Sequence, residues 1–375
     1  MFRNAPKNFG PEHDSQSYST GMKRSQSKHE LDIPSWAKRS KGLVAEYATD
    51  LGVALVGDSQ SVLESAAVSE LLGRVQLIFT SPPFPLNRKK KYGNLSGLEF
   101  RKWLRGYANK LRALLTPDGS AVIEMGNAWE QGSPVMSTLA LETLLAFKKA
   151  GSFHLCQEFI WFNPAKLPTP AQWVTIERSR VKDSFTRLWW LSPTTHPKAD
   201  NRRVLQPYSG SMKSLLQRQK YNSGRRPSQH VISRRGFLVD NGGAIPPNVL
   251  QPSEEETLGS LLIEGNTGNS SSYHQYCRAL KLTPHPARMP ISLAKFFVNL
   301  CTEPGDLVLD PFSGSNTTGA AAELLGRKWL SIEAEAEYAR GGRGRFPRIW
   351  TKTELRVTSQ HDVNMKETGR SRTPV

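Results

Sequence analysis

The chain has 375 residues, with 50 Lys and Arg against 33 Asp and Glu, a net charge of +17. That length suggests about two to three domains and is ample for a sizeable core. The charge points to a polyanion, and with no apolar run long enough to span a bilayer, nucleic acid is favoured over a membrane surface.

Residues 1–42 are polar and Ser-rich, and Met1-Phe2-Arg3-Asn4-Ala5-Pro6 has no apolar signal core. This stretch reads as a disordered basic lead on a cytoplasmic protein. Cys156, Cys277 and Cys301 are odd in number and widely spaced. They fit partly buried thiols in a reducing cytosol, and no metal site is expected.

A patterned region covers 43–192. Val53 to Val56 reads as a strand, followed by a helix capped by Ser59 or Ser61. Val75 to Phe79 is the next strand. Leu98 to Leu115 carries Phe100, Trp103, Leu104, Tyr107, Leu111 and Leu114 at helical spacing. Thr116 to Gly119 reads as a turn and Ala121 to Ile123 as a strand ending at Glu124. Thr138 to Lys149 reads as a helix, and Glu158 to Phe162 and Thr186 to Leu191 as strands. Strands alternating with helices predict an α/β fold, a doubly wound, mostly parallel sheet covered on both faces.

The rhythm breaks over 193–276, an insert rich in Ser, Asn, Gly, Pro and Arg. Between Arg178 and Arg235 there are fourteen Lys and Arg against two acids, Asp183 and Asp200. This reads as a DNA-contacting stretch, with cations for phosphate and polar side chains for base edges. Regular structure returns over 277–340. Ile291 to Cys301 is a helix, Leu307 to Leu309 a strand, Thr318 to Leu325 a helix, Lys328 to Ile332 a strand, and Ala336 starts another helix. Residues 341–375 read as a loose basic tail.

Two stretches carry chemistry. In Thr80-Ser81-Pro82-Pro83-Phe84, Pro82 and Pro83 fix two φ angles and Pro82 pushes Ser81 into an extended conformation. The result is a rigid arm with a hydroxyl, carbonyls and an aromatic plate, suited to clamping a planar base by its exocyclic amine. The second stretch is Asp310-Pro311-Phe312-Ser313-Gly314-Ser315, with Glu333 about twenty residues on, at the end of the next strand. That spacing suits an acid that binds ribose hydroxyls. Neither a three-glycine dinucleotide fingerprint nor a Lys-bearing phosphate loop is present, so the ligand reads as a nucleoside without pyrophosphate. S-adenosyl-L-methionine fits. Asp58, at the first strand end, is assigned to the same ligand.

Together these stretches resemble a β-group DNA amino-methyltransferase, with the catalytic motif first, then a target-recognition insert, then the cofactor motif. That order is a circular permutation within the S-adenosylmethionine-dependent methyltransferase fold. The strings Lys89-Lys90-Lys91-Tyr92-Gly93-Asn94, Trp161-Phe162-Asn163-Pro164 with Lys166-Leu167-Pro168, Trp189-Trp190, Asn241 to Asn248 and His285-Pro286-Ala287-Arg288 resemble cytosine-N4 members. Ser315-Asn316-Thr317-Thr318 stands where many members have a second glycine. The resemblance implies a site-specific enzyme of a restriction–modification system that methylates N4 of a flipped cytosine, with CAGCTG as target. Adenine-N6 methylation and non-catalytic DNA binding stay open as alternatives.

Ser81, Pro82, Pro83, Phe84 and Glu124 are then expected to be catalytic. Asp58, Thr80, Pro290, Asp310, Pro311, Phe312, Ser313, Gly314, Ser315, Thr317 and Glu333 are expected to hold the cofactor. Arg88, Lys89, Lys90, Lys91, Arg202, Arg203, Arg225 and Arg226 are expected to meet double-stranded DNA. A palindromic target does not require a dimer, and a monomer is expected.

Overall fold

A computed structural model describes residues 44–84, 95, 97–251 and 271–358. Its centre is a nine-stranded sheet in the order β1-β2-β11-β10-β3-β4-β6-β5-β9. The strands are β1 (Val44–Ala48), β2 (Gly52–Val56), β3 (Val75–Thr80), β4 (Leu115–Met125), β5 (His154–Phe162) and β6 (Phe185–Ser192), then β9 (Val249–Leu250), β10 (Leu307–Asp310) and β11 (Lys328–Glu333). From β2 to β4 all neighbours are parallel. The edges depart from the expected pattern: β1 pairs antiparallel with β2, and β6 antiparallel with both β4 and β5.

The central parallel strands are mostly apolar, as suits a sheet covered on both faces. Val75 to Thr80 is buried throughout. One face packs under α1 (Ser59–Leu63), α2 (Ala66–Ser69), α3 (Gly97–Leu114) and α4 (Leu139–Ala150), through Phe100, Leu104, Leu111, Leu144 and Phe147. The other lies under α7 (Ile291–Cys301) and α8 (Thr317–Leu324), through Leu293, Phe297, Ala321 and Trp329. Cys277 and Cys301 are fully buried, Cys156 only partly. No helix among the described residues is long and apolar enough to cross a membrane.

Two local readings change. The α1 cap is Asp58, whose Oδ2 accepts the Ser61 amide and hydroxyl, each at 2.9 Å. Ser59 instead donates its hydroxyl to the Pro311 carbonyl. The sequence turn at Thr116 to Gly119 is absorbed into β4, which starts at Leu115.

Part of the stretch expected to be a loose tail is folded. After α9 (Ala336–Gly342), short 3-10 turns at Arg343–Arg345 and Pro347–Ile349 pack against α6 (Ser272–Ala279). Trp350 lies 5.1 Å from the Tyr276 ring and Glu354 accepts the Tyr276 hydroxyl at 2.5 Å. Aromatic residues in a basic segment supply the apolar surface that such docking needs.

Gly52 is where β2 meets the Trp329 indole. A Cβ there would lie 2.2 Å from Trp329 Cδ2 and 2.4 Å from the Trp329 carbonyl oxygen. Gly52→Ala is therefore expected to destabilise by about 1–3 kcal/mol, the usual cost of overpacking. Urea unfolding should show a lower midpoint at unchanged slope.

Candidate active site

The parallel strands present their carboxyl ends on one edge, where α/β sheets bind ligands. Asp310, at the end of β10, is 4 % exposed. Its Oδ1 accepts the Thr80 hydroxyl at 2.7 Å and the Phe312 amide at 3.1 Å, and its Oδ2 accepts the Thr318 hydroxyl at 2.7 Å. Burial outweighs these bonds and raises its carboxyl to about 6. Thr80 is thus a buried brace between β3 and β10 and does not line the cavity, unlike its expected place in a cofactor contact.

Beyond Asp310 the chain turns sharply. Gly314 has φ +52°, a left-handed conformation that glycine tolerates, and a Cβ there would come within 3.0 Å of the His285 ring. Its amide donates to Glu333 Oε2 at 2.7 Å, and the Glu335 amide donates to Oε1 at 3.0 Å. The Glu333 carboxyl is 9 % exposed, and burial raises it above the usual carboxylate range. With one amide on each oxygen, lone pairs remain to accept two ligand hydroxyls. Trp103 and Tyr107 each lie 5.3 Å from the Phe312 ring and line an aromatic wall. Arg345, from the folded tail, buttresses the loop: Nε donates to the Ser315 carbonyl at 2.6 Å and an Nη to the Ser315 hydroxyl at 2.9 Å. Burial lowers its guanidinium to about 10.

The β3 arm opens onto the same space. Pro82 is buried, Ser81 is exposed, and the Ser81 hydroxyl is hydrogen-bonded to Glu124 at the end of β4. Glu124 also accepts the Thr186 hydroxyl at 3.2 Å. Burial raises its carboxyl above the usual range, against the pull of the Thr186 and Ser81 hydrogen bonds and the Lys166 charge. The Phe84 ring meets Phe100 edge-on at 5.6 Å. Ser81 to Phe84, Glu124, Asp58, Asp310 to Ser315, Thr317 and Glu333 all line one cavity of about 860 Å³. That is near the upper end for small-molecule sites, room for more than a nucleoside.

Other expected residues fall elsewhere. Asp58, by contrast, lines the cavity and uses one carboxylate oxygen, Oδ2, for the α1 cap. Pro290 caps α7, just beyond the cavity residue Met289. Arg202 and Arg203 sit away from the cavity. Arg202 is exposed and paired with Asp200 at 2.7 Å. Arg203 binds Glu303 and the Leu300 carbonyl, each at 3.1 Å, below the start of β10. Arg225 and Arg226 are exposed on a hairpin of β7 (Gly224–Arg225) and β8 (Val231–Ile232). Arg88 and Lys89 to Lys91 lie outside the described residues.

Asn127, Asp183 and Thr186 line the cavity but had no sequence signal, since each is an isolated polar residue beside a strand end. Trp103 and Tyr107 had a signal that reads as helix core. Arg345 was hidden in the basic tail.

A doubly wound sheet with this cavity at its carboxyl edge suits a methyltransferase of the nucleoside-binding kind, and the chain belongs to the DNA methylase family, whose model matches residues 75–342. Its methyl donor is S-adenosyl-L-methionine. The chain is 41 % identical over 302 residues to the type II methyltransferase M.PvuII of Proteus hauseri, covering 80 % of this chain and 85 % of that protein. It is 25 % identical over 266 residues to M.BglII of Bacillus subtilis, covering 70 % and 61 %. The solved PvuII DNA methyltransferase, described as cytosine-N4-specific, superposes with a TM-score of 0.64 at 34 % identity, covering 85 % of this chain and 95 % of that one.

The buried Glu333 carboxyl, the aromatic wall and the sharp Gly314 turn fit a nucleoside. Glu333→Ala is expected to weaken S-adenosyl-L-methionine binding by roughly 10- to 100-fold, the range for hydrogen bonds to a charged group. Calorimetry with the free protein checks this, with DNA affinity unchanged.

Proposed function

We propose that the chain methylates N4 of a cytosine flipped out of duplex DNA at the palindrome CAGCTG, as the modification partner of a restriction nuclease. The observation that carries this reading is the Ser81 hydroxyl hydrogen-bonded to the half-buried Glu124 carboxyl, in one cavity with Glu333. The cytosine-N4 specificity of the solved PvuII relative supports the choice of base. Exposed cations such as Arg225 and Arg226, together with the net charge of +17, suit a DNA partner in the cytoplasm.

When bound, S-adenosyl-L-methionine supplies an electrophilic methyl. Glu333 would hold its ribose hydroxyls, and Phe312 with Trp103 would flank its base. The protein's own work is on the target amine. Its lone pair is conjugated with the ring and is a weak nucleophile. Ser81 Oγ and the Pro82 carbonyl accept the amine hydrogens and draw them out of the ring plane. The prolines hold these acceptors in place before the substrate arrives. Phe84 offers a face edge for the base, and extrusion from the duplex is required because the stacked base is out of reach. The proton that the amine sheds has a path through Ser81 Oγ to Glu124, whose raised carboxyl suits a base working near neutrality.

Nucleoside mass spectrometry of plasmid from an expressing strain should show N4-methylcytosine, and N6-methyladenine alone would overturn the base assignment. Ser81→Ala is expected to slow transfer by about 100-fold or more while donor binding survives. Single-turnover assays and calorimetry separate the two effects.

The pH dependence has a defined sign. Glu124 accepts a proton only when ionised, so the rate falls as pH drops through its raised value. The acidic limb of kcat should therefore lie above the ordinary carboxylate range. Glu124→Gln should abolish that limb and lower the plateau by roughly 10²–10⁴-fold.

A further inference from the structure

A second group of charged side chains stands on the wall of this cavity, and the transfer chemistry leaves it without a task. Lys166 lies in the loop after β5. Its ammonium is 3.4 Å from Asp183 Oδ2 and 3.4 Å from the Phe185 carbonyl oxygen. Both contacts are at the outer limit of hydrogen bonding. An ammonium carries three protons, and among the described residues these two are the acceptors that Lys166 meets.

Asp183 is fixed from its other side. Its Oδ1 accepts the Asn127 amide at 2.9 Å, and Asn127 accepts the Arg187 guanidinium. The Asp183 side chain is 11 % exposed and that of Lys166 32 %. Lys166, Asp183, Asn127 and Thr186 all line the cavity with Ser81 and Glu124. On this wall the Thr186 hydroxyl is given to Glu124 and the Asn127 amide to Asp183. Lys166 is the charged member of the group that keeps a spare donor, beside the second, neutral N–H of Asn127.

We infer that Lys166 is a specificity-determining residue that donates a hydrogen bond to O2 of the target cytosine, with Asp183 and Asn127 holding it in position. The inference rests on the cytosine-N4 reading above. The Watson–Crick edge of cytosine runs from the N4 amine through N3 to O2, one donor and then two acceptors. With the amine at the Ser81 acceptor, the far end of that edge needs a donor. Adenine places a C–H at that end. A cation there rewards cytosine, while adenine leaves it without a partner, which is how polar sites reject near-isosteres.

The test is a double-perturbation cycle on synthetic CAGCTG duplexes. The target cytosine is replaced by a 2-aminopyridine C-nucleoside, which keeps the amine and ring nitrogen but lacks the carbonyl. Wild-type kcat/KM should fall on the analogue by roughly 10- to 100-fold from the lost hydrogen bond. Lys166→Met should fall by a similar factor on cytosine and show little further loss on the analogue. Any change in amine nucleophilicity affects both proteins equally and cancels in the ratio. Lys166→Gln, which keeps a neutral donor, should give a smaller loss with the same dependence on the carbonyl, and it serves if the Met variant does not fold. Losses that simply multiply would overturn the inference and leave Lys166 as a support for Asp183. Multiplying losses with N4-methylcytosine still formed overturn this inference alone, whereas a wild-type reaction without N4-methylcytosine overturns the cytosine reading and this inference with it.

Discussion

Two loops 230 residues apart in the chain stand side by side because β3 and β10 are parallel neighbours, and one buried carboxylate, Asp310, ties their ends by taking the Thr80 hydroxyl from one strand end and the Thr318 hydroxyl from the helix behind it. Without that tie the strands would still pair, but the Ser81 arm and the Gly314 turn would lose the side-chain link between them. The junction carries a cost. The Asp310 carboxyl titrates at about 6 in the fold against an ordinary 3.8. A raised value means that its contribution to stability is fully present below 3.8 and is lost as pH rises through about 6. Near neutrality the charge is therefore held at a cost of about 3 kcal/mol. The three hydrogen bonds that the ionised carboxylate accepts keep the strand ends in register despite it.

The same electrostatic theme runs through the cavity. The molecule is strongly basic, yet Asp310 and Glu333 are buried and Glu124 half-buried at the cavity, each raised by desolvation. A crevice of carboxyls inside a cationic protein separates two jobs. The outside attracts phosphate, and the inside favours a sulfonium and receives protons. The cations that line it are Lys166, on Asp183, and Arg288, on the His285 carbonyl, while Arg345 braces the Ser315 loop from outside. Arg202 and Arg203, in the basic stretch by sequence, each meet an acid: Asp200 for Arg202 and Glu303 for Arg203.

Much of the fold was legible because its signals are local. The helix over Ile291 to Cys301 matches its reading residue for residue, since Pro290 sets its start and Thr302 leaves helical geometry. The parallel strands read cleanly because burial on both faces makes them continuous apolar runs. The antiparallel pairing of β6 with β4 and β5 was not legible, because an apolar run such as Thr186 to Leu191 looks the same in either direction. The Asp58 cap was misread because three candidate capping residues fall within four positions, and only the Pro311 carbonyl decides which hydroxyl is diverted.

The sequence by itself determined the two motif loops, the acid at the end of each relevant strand, and the alternation of elements that builds a doubly wound sheet. These depend on residue type, short spacing and periodicity, which survive without knowledge of neighbours. Only the tertiary structure decided that Ser81 meets Glu124, that Asn127, Asp183 and Lys166 share a wall with them, that Arg345 returns from the tail to brace the Gly314 loop, and that Arg203 pairs with Glu303. Those are contacts between residues tens to hundreds of positions apart. They are set by the order in which strands enter the sheet, and no local pattern encodes that order.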